Sequence, residues 1–235
     1  MKIIEPQLVT ISAGEVTLAV PECPTDYPSG HRWTTSRQVQ IEAFQIAHCS
    51  VTRVEYETFI ADTQYATPVD WDDSELQDPR LPVCGVSAED ADAYCQWLSD
   101  KTGKAYRLPC ADEWEKAARG GLQGKRHPWG DEDAEGRCCF GRPETGFPMS
   151  VGSFEPNGYG LYDMVGNIWQ WLADLYVNVA QDPPTNTPTG RPAELNRVLV
   201  GGSFMSGDAG LLWVAYRHED PPDLRHRCLG FRLAL

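Results

Sequence analysis

Asn157-Gly-Tyr-Gly-Leu-Tyr-Asp-Met-Val-Gly-Asn-Ile-Trp-Gln-Trp171 is the stretch that decides how this chain is read. It holds four aromatics, three glycines and one carboxylate in an order that neither a helix nor a strand repeats. Dense glycine points to positive φ or close backbone approach. Tyr and Trp bring large apolar area with one polar handle each. Together they predict an ordered loop in the core, with main-chain carbonyls free to hold an ion.

The surroundings are those of an ordinary globular chain: 235 residues, 41% hydrophobic and 23% charged. That length fits one large domain or two small ones. The formal charge of −14 argues against nucleic acid, whose affinity comes from Lys and Arg neutralising phosphates, and against anionic membranes. The sequence begins with no apolar run or cleavage site of a signal peptide, and no segment reaches the roughly 20 apolar residues of a membrane span. A cytoplasmic location without membrane insertion is the expectation. None of the eight cysteines shows zinc-type CxxC spacing, and in a reducing cytosol free thiols are expected.

Along the chain, Leu8–Ile11 and Glu15–Val20 read as strands of a hairpin around Ser12-Ala13-Gly14, and Arg37–Phe44 as another strand. Thr52-Arg53-Val54-Glu55 is a capping box opening a helix with Val54, Phe59 and Ile60 inward. Gln64–Leu81 reads as loop. Ser87-Ala88-Glu89-Asp90 opens a second helix with Ala91, Tyr94, Cys95 and Leu98 on one apolar face, ended by Gly103. A third runs Ala111–Arg119 with Trp114 inward. Beyond it the chain reads as mostly irregular, with short strands at Arg197–Val200 and Gly230–Leu233 and a Pro/Thr-rich surface loop at Asp182–Pro192. The class is α+β, loop-rich with little regular secondary structure.

Arg107-Leu108-Pro109, Glu113–Gly121, Pro128-Trp129-Gly130, Val198–Ser203, Gly230–Ala234 and the Asn157–Trp171 stretch occur in the order found in the formylglycine-generating enzyme family, the sulfatase-modifying-factor domain. The resemblance covers nearly the whole chain. It implies one domain, 1–235, with a variant of the C-type lectin fold. Oxidising members of the family carry two cysteines after the Gly-Gly-Ser motif, which bind copper(I), a soft ion suited to thiolates. Here those places fall on Ser206 and Leu211, so copper and formylglycine-generating activity are not expected. The resemblance also implies calcium, on the side chains of Asp163 and Gln170 and the carbonyls of Gly166 and Ile168. Calcium takes six to eight oxygens, and Gln170 stands where the family commonly has Glu, which removes one charge.

Arg217, Asp223, Arg225 and Arg232 match positions that carry Arg or Asp in relatives, and read as ion pairs tying loop to core. Between Phe204 and Leu229, framework-like residues alternate with a mixture that includes Ser206, Asp208, Leu211, Tyr216, His218, Asp220, Leu224, His226 and Cys228. All of these are reachable from asparagine codons by changing two adenines. The segment thereby resembles the variable region of proteins targeted by diversity-generating retroelements. With Trp213 they form the expected ligand-binding face, aromatic plus small and polar. The leading expectation is a binding module that engages a protein or small-molecule ligand through this C-terminal face. The alternatives are a maturation enzyme acting on a peptide or sulfur compound, through groups such as Asp208, Tyr216 or His218, and an accessory module of a bacterial conflict or signalling system.

Overall fold

A computed structural model describes residues 3–18, 37–142, 146–176 and 196–235. The expected strand end at Ala19-Val20 and the Asp182–Pro192 loop lie outside the described residues.

The first strands do not form the hairpin that Ser12-Ala13-Gly14 suggests. Strand β1 (Leu8–Ile11) pairs with β4 (Phe44–Ala47), and β2 (Gly14–Leu18) with β3 (Arg37–Ile41), all antiparallel. The register is continuous, from Leu8 opposite Ala47 through Ile11 opposite Phe44 to Leu18 opposite Arg37. The four strands are thus one long two-stranded ribbon, bent at Ser12-Ala13 and Glu42-Ala43. The bend is held from outside: Lys116 Nζ donates to the carbonyls of Ser12 (2.7 Å) and Gly14 (3.2 Å).

Helices α1 (Arg53–Thr63), α2 (Ala88–Thr102) and α3 (Ala111–Arg119) follow the predicted caps. The boxes at Thr52/Glu55 and Ser87/Asp90 both close, and Gly103 ends α2 in the left-handed region. Ala91, Tyr94, Cys95 and Leu98 are all buried. In α1 the deepest residues are Tyr56 and Phe59, while Val54 and Ile60 are only half-buried. Tyr56 stacks on Tyr94 at 5.5 Å, and Phe59, Trp97 and Phe231 complete an aromatic core. Aromatic pairs at such separations add to burial.

The second sheet has the order β7-β6-β5-β8, with β5 (Trp169–Leu175) antiparallel to β6 (Arg197–Val200) and parallel to β8 (Leu229–Phe231), and β7 (His218–Asp220) at the edge. β5 begins inside the stretch predicted to be irregular. Its first four residues, Trp-Gln-Trp-Leu, are all buried, Gln170 included, so burial there does not alternate as in a half-exposed strand. The rest of Asn157–Ile168 is loop, stapled by side-chain amides. Asn157 Nδ2 donates to the carbonyls of Ala117 and Ala118 at the end of α3, and Asn167 exchanges two hydrogen bonds with Met149. Trp171 Nε1 donates to Val86 O at 3.0 Å. Such pairing is what a buried loop needs in place of a ladder. Among the described residues no helix is long and apolar enough to cross a membrane, and seven cysteines are free thiols.

Candidate functional site

The Gly201-Gly202-Ser203 turn joins β6 to the C-terminal segment and is stitched to the opening loop. Gly166 N–H donates to Gly201 O at 2.7 Å, and Phe204 N–H to Asn167 O at 2.8 Å. Gly202 has φ +69°, and a Cβ there would lie 2.9 Å from Leu211 O and 2.7 Å from Leu212 Cδ2. Only glycine suits both the left-handed backbone and the close approach. The turn fixes the start of the segment that carries the predicted face.

That segment divides the predicted residues by depth. Ser206, Trp213, Tyr216 and Cys228 are buried; Leu211, His218 and Asp220 are half-buried; Asp208, Leu224 and His226 are exposed. Ser206 Oγ accepts the Ser203 N–H at 3.0 Å. Asp208 Oδ1 accepts from Gly210 N at 2.8 Å and caps a short 3-10 turn, Ala209–Leu212. Trp213 lies beneath the Arg126 guanidinium, 5.8 Å away. Trp169 packs against Tyr216 and His218 at 5.8 and 5.5 Å, and His218 Nε2 lies 3.4 Å from Asp220 Oδ2. His226 Nδ1 stands 3.0 Å from Cys228 Sγ, which also bonds with Ser203. Trp169, Tyr216 and His218 are thereby brought together, while Ser206 and Cys228 lie buried and Asp208, Leu224 and His226 are exposed. Trp169, read as scaffold, and Ser203 are the members of this assembly that the variable-segment pattern misses, because neither belongs to the mixture of residues.

Cys228 is the one thiol of the predicted face among the described residues, and burial pushes it up to about 11, opposed by the bond to Ser203. A reactive cysteine needs its thiolate, and this environment favours the thiol. Burial likewise raises Tyr216, to about 12. Behind the face, three expected ion-pair residues resolve into different arrangements. Arg217 bonds to Glu115 at 2.5 Å and Arg225 to Asp90 at 2.5 and 2.7 Å. Arg232, fully buried, forms no ion pair with a carboxylate among the described residues; its donors go to Ala47 O (2.6 Å), Tyr162 O (2.5 Å), Asp163 O (3.4 Å) and Gln170 Oε1 (3.1 Å).

This hub bears on calcium. Gln170 Oε1 accepts from both Trp114 Nε1 (3.0 Å) and Arg232 Nε, and its Nε2 donates to Asp163 O at 3.0 Å. Both oxygen lone pairs are used, so Gln170 has none for a cation. Asp163 Oδ2 accepts from Gly152 N at 2.7 Å, and burial raises its carboxyl against that bond and Arg232. The set Asp163, Gly166, Ile168 and Gln170 thus loses a side chain to hydrogen bonding and does not fit calcium as arranged. Millimolar calcium is expected to leave the melting temperature unchanged, since a ligand of the folded state alone must raise it. A rise of several degrees would show that Gln170 leaves the Arg232 hub to bind the ion.

The chain matches the sulfatase-modifying factor enzyme 1-like domain over residues 2–235. It is 30% identical to the formylglycine-generating enzyme of Bos taurus, over 97% of this chain and 74% of that protein. In structure it is similar to PvdO from Pseudomonas aeruginosa, with a TM-score of 0.76, 25% identity and coverage of 97% and 94%. Treponema denticola variable protein 1 shares the fold at a TM-score of 0.75 and 24% identity, covering 97% and 94%. The architecture is α+β, the formylglycine-generating-enzyme-like variant of the C-type lectin fold. This chain belongs to the sulfatase-modifying factor enzyme 1-like domain family.

Proposed function

We propose that the protein is a binding module of its family, without formylglycine-generating activity, and that it engages a protein or small-molecule ligand through the C-terminal face. The observation that carries this reading is the division by depth. Trp169, Trp213 and Tyr216 are buried, Trp169 packs against Tyr216 and His218, and Leu211, His218, Asp220, Leu224 and His226 are the half-buried and exposed rim residues of the same part of the chain. Buried aromatic area combined with adaptable polar groups is the composition of recognition surfaces. Ser206 holds a backbone N–H at the place where the family resemblance implies a copper-binding cysteine, and Cys228 is kept as a thiol, which also favours binding over oxidation.

Two measurements test the reading. With copper(I), oxygen and a cysteine-containing peptide, oxygen uptake is expected to stay at the buffer rate; catalytic turnover would overturn it. Replacing Leu211, His218, Asp220, Leu224 and His226 together is expected to lower the melting temperature by no more than about 10 °C, since surface changes usually cost within about 0.5 kcal/mol each and each kcal/mol is worth about 2–4 °C at this length. Collapse of that variant would make the rim structural and sink the display role. The sharper version of the proposal, a retroelement-diversified variable protein, requires a reverse-transcriptase gene and a near-copy of the last coding segment beside the gene.

A further inference from the structure

Away from the C-terminal face, a cavity of about 400 Å³ opens between the Pro128-Trp129-Gly130 turn, the 135–137 loop and the segment ahead of Asn157. Its volume falls within the range of small-molecule sites. The walls are Trp129 and two prolines, Pro128 and Pro156; the charged groups are Glu135, Glu155 and Arg137. A narrower void of about 20 Å³ shares Trp129, Arg137 and Glu155 with it and runs inward to Asp163.

Trp129 is fixed in place. One face stacks on His127 at 4.9 Å and 12°, and its Nε1 donates to Glu132 O at 3.1 Å. The ring so held lines the cavity. The three charged side chains are exposed, and none forms an ion pair with another described residue. Elsewhere on this surface charges do pair, as Lys125 does with Asp131 at 2.7 Å a few residues away. Two carboxylates and one guanidinium therefore stand around an aromatic wall without neutralising one another.

We propose that this cavity binds a free basic α-amino acid. Such a molecule carries two cationic groups and one carboxylate, the inverse of Glu135, Glu155 and Arg137. The guanidinium suits the carboxylate through a charge-assisted, two-pronged bond. Glu135 and Glu155 take the ammonium groups, and Trp129 covers the methylene chain and attracts the side-chain cation through its π face. The net charge of −14 adds a field that favours a ligand of net positive charge. This site uses none of the residues of the C-terminal face, so either proposal can fail without the other.

The test is calorimetric titration of the full chain with L-lysine, alongside L-norleucine, which lacks the second cation, and cadaverine, which lacks the carboxylate. Saturable lysine binding is expected below about 1 mM, with both comparison ligands at least tenfold weaker. Trp129→Ala is expected to lose at least tenfold for lysine and for cadaverine. Arg137→Gln, a surface change that leaves the fold intact, is expected to weaken lysine to the level of cadaverine while leaving cadaverine unchanged. Glu135→Gln with Glu155→Gln is expected to abolish the preference over norleucine. Absence of saturation at about 10 mM, equal binding of norleucine, or indifference to Arg137→Gln in a chain with an unchanged melt would each overturn the proposal.

Discussion

Arg232→Met is expected to cost about 3–5 kcal/mol of folding stability, the range for removing one partner from a buried charged network. The guanidinium is fully buried, and burial brings it down only to about 10, so it is charged at neutral pH. Four oxygens depend on it: the carbonyls of Ala47, Tyr162 and Asp163, and Gln170 Oε1. Methionine fills much of the volume and donates nothing, so these acceptors stay dry and underused. For a chain of this length the loss corresponds to roughly 6–20 °C in melting temperature. Arg232→Lys keeps a charge but one donor head cannot replace a planar fork, and it is expected to recover less than half of the loss. Urea unfolding checks both variants. A cost below about 1 kcal/mol for Arg232→Met would mean that Gln170, Trp114 and the loop carbonyls find partners without it.

The position of that hub explains why the Asn157–Trp171 stretch can be read as scaffold. Arg232 lies one residue beyond β8 and reaches Tyr162 and Asp163 in the middle of the stretch and Gln170 near its end. The loop is thereby locked to the sheet at the edge where β8 pairs with β5. The segment that follows Gly201-Gly202-Ser203 joins the same sheet through β7, which pairs with β6. One cluster of buried donors and acceptors thus serves the place that the resemblance gives to an ion.

What was legible in the sequence was local. Thr52 with Glu55 and Ser87 with Asp90 are three residues apart and close their own caps, so reading them requires no tertiary knowledge. The face of α2 is legible for the same reason: its spacing is the helix repeat. The ribbon was not, because β1 and β2 pair with β4 and β3, and not with each other: the partner of Val16 is Val39. β5 was hidden because its start, Trp169–Leu172, is buried on both faces and follows directly on the glycine-rich loop. Within the candidate face, composition identified the segment but not the direction of its side chains. Trp213, Tyr216 and Cys228 point inward only because Arg126, Trp169 and Ser203 arrive from distant parts of the chain. Asp90 shows both kinds of information in one residue, capping α2 locally and accepting from Arg225 across 135 positions.

Glu115→Ala is expected to cost a similar 3–5 kcal/mol, and its effect reaches the face. The carboxylate is buried between two guanidiniums: Oε1 accepts from Arg119 Nε (3.0 Å) and Nη2 (2.6 Å), and Oε2 from Arg217 Nη2 (2.5 Å). Its removal leaves two like charges in a dry site. Arg119 keeps a bond to Lys125 O, but Arg217 is anchored otherwise by the carbonyls of Val214 and Tyr216, within the very segment it must hold. Once unlatched from α3, Arg217 no longer ties that segment to the helix. Amide hydrogen exchange is therefore expected to accelerate for residues 214–218 beyond what the global loss of stability explains, whereas Arg232→Met should loosen the 157–170 loop instead. Adding Arg217→Met to Glu115→Ala removes one of the stranded charges and is expected to restore at least 1 kcal/mol, a coupling that neighbours in one network show and distant sites do not. A double variant no more stable than Glu115→Ala, with exchange at 214–218 unchanged, would show that α3 does not position the face through this carboxylate.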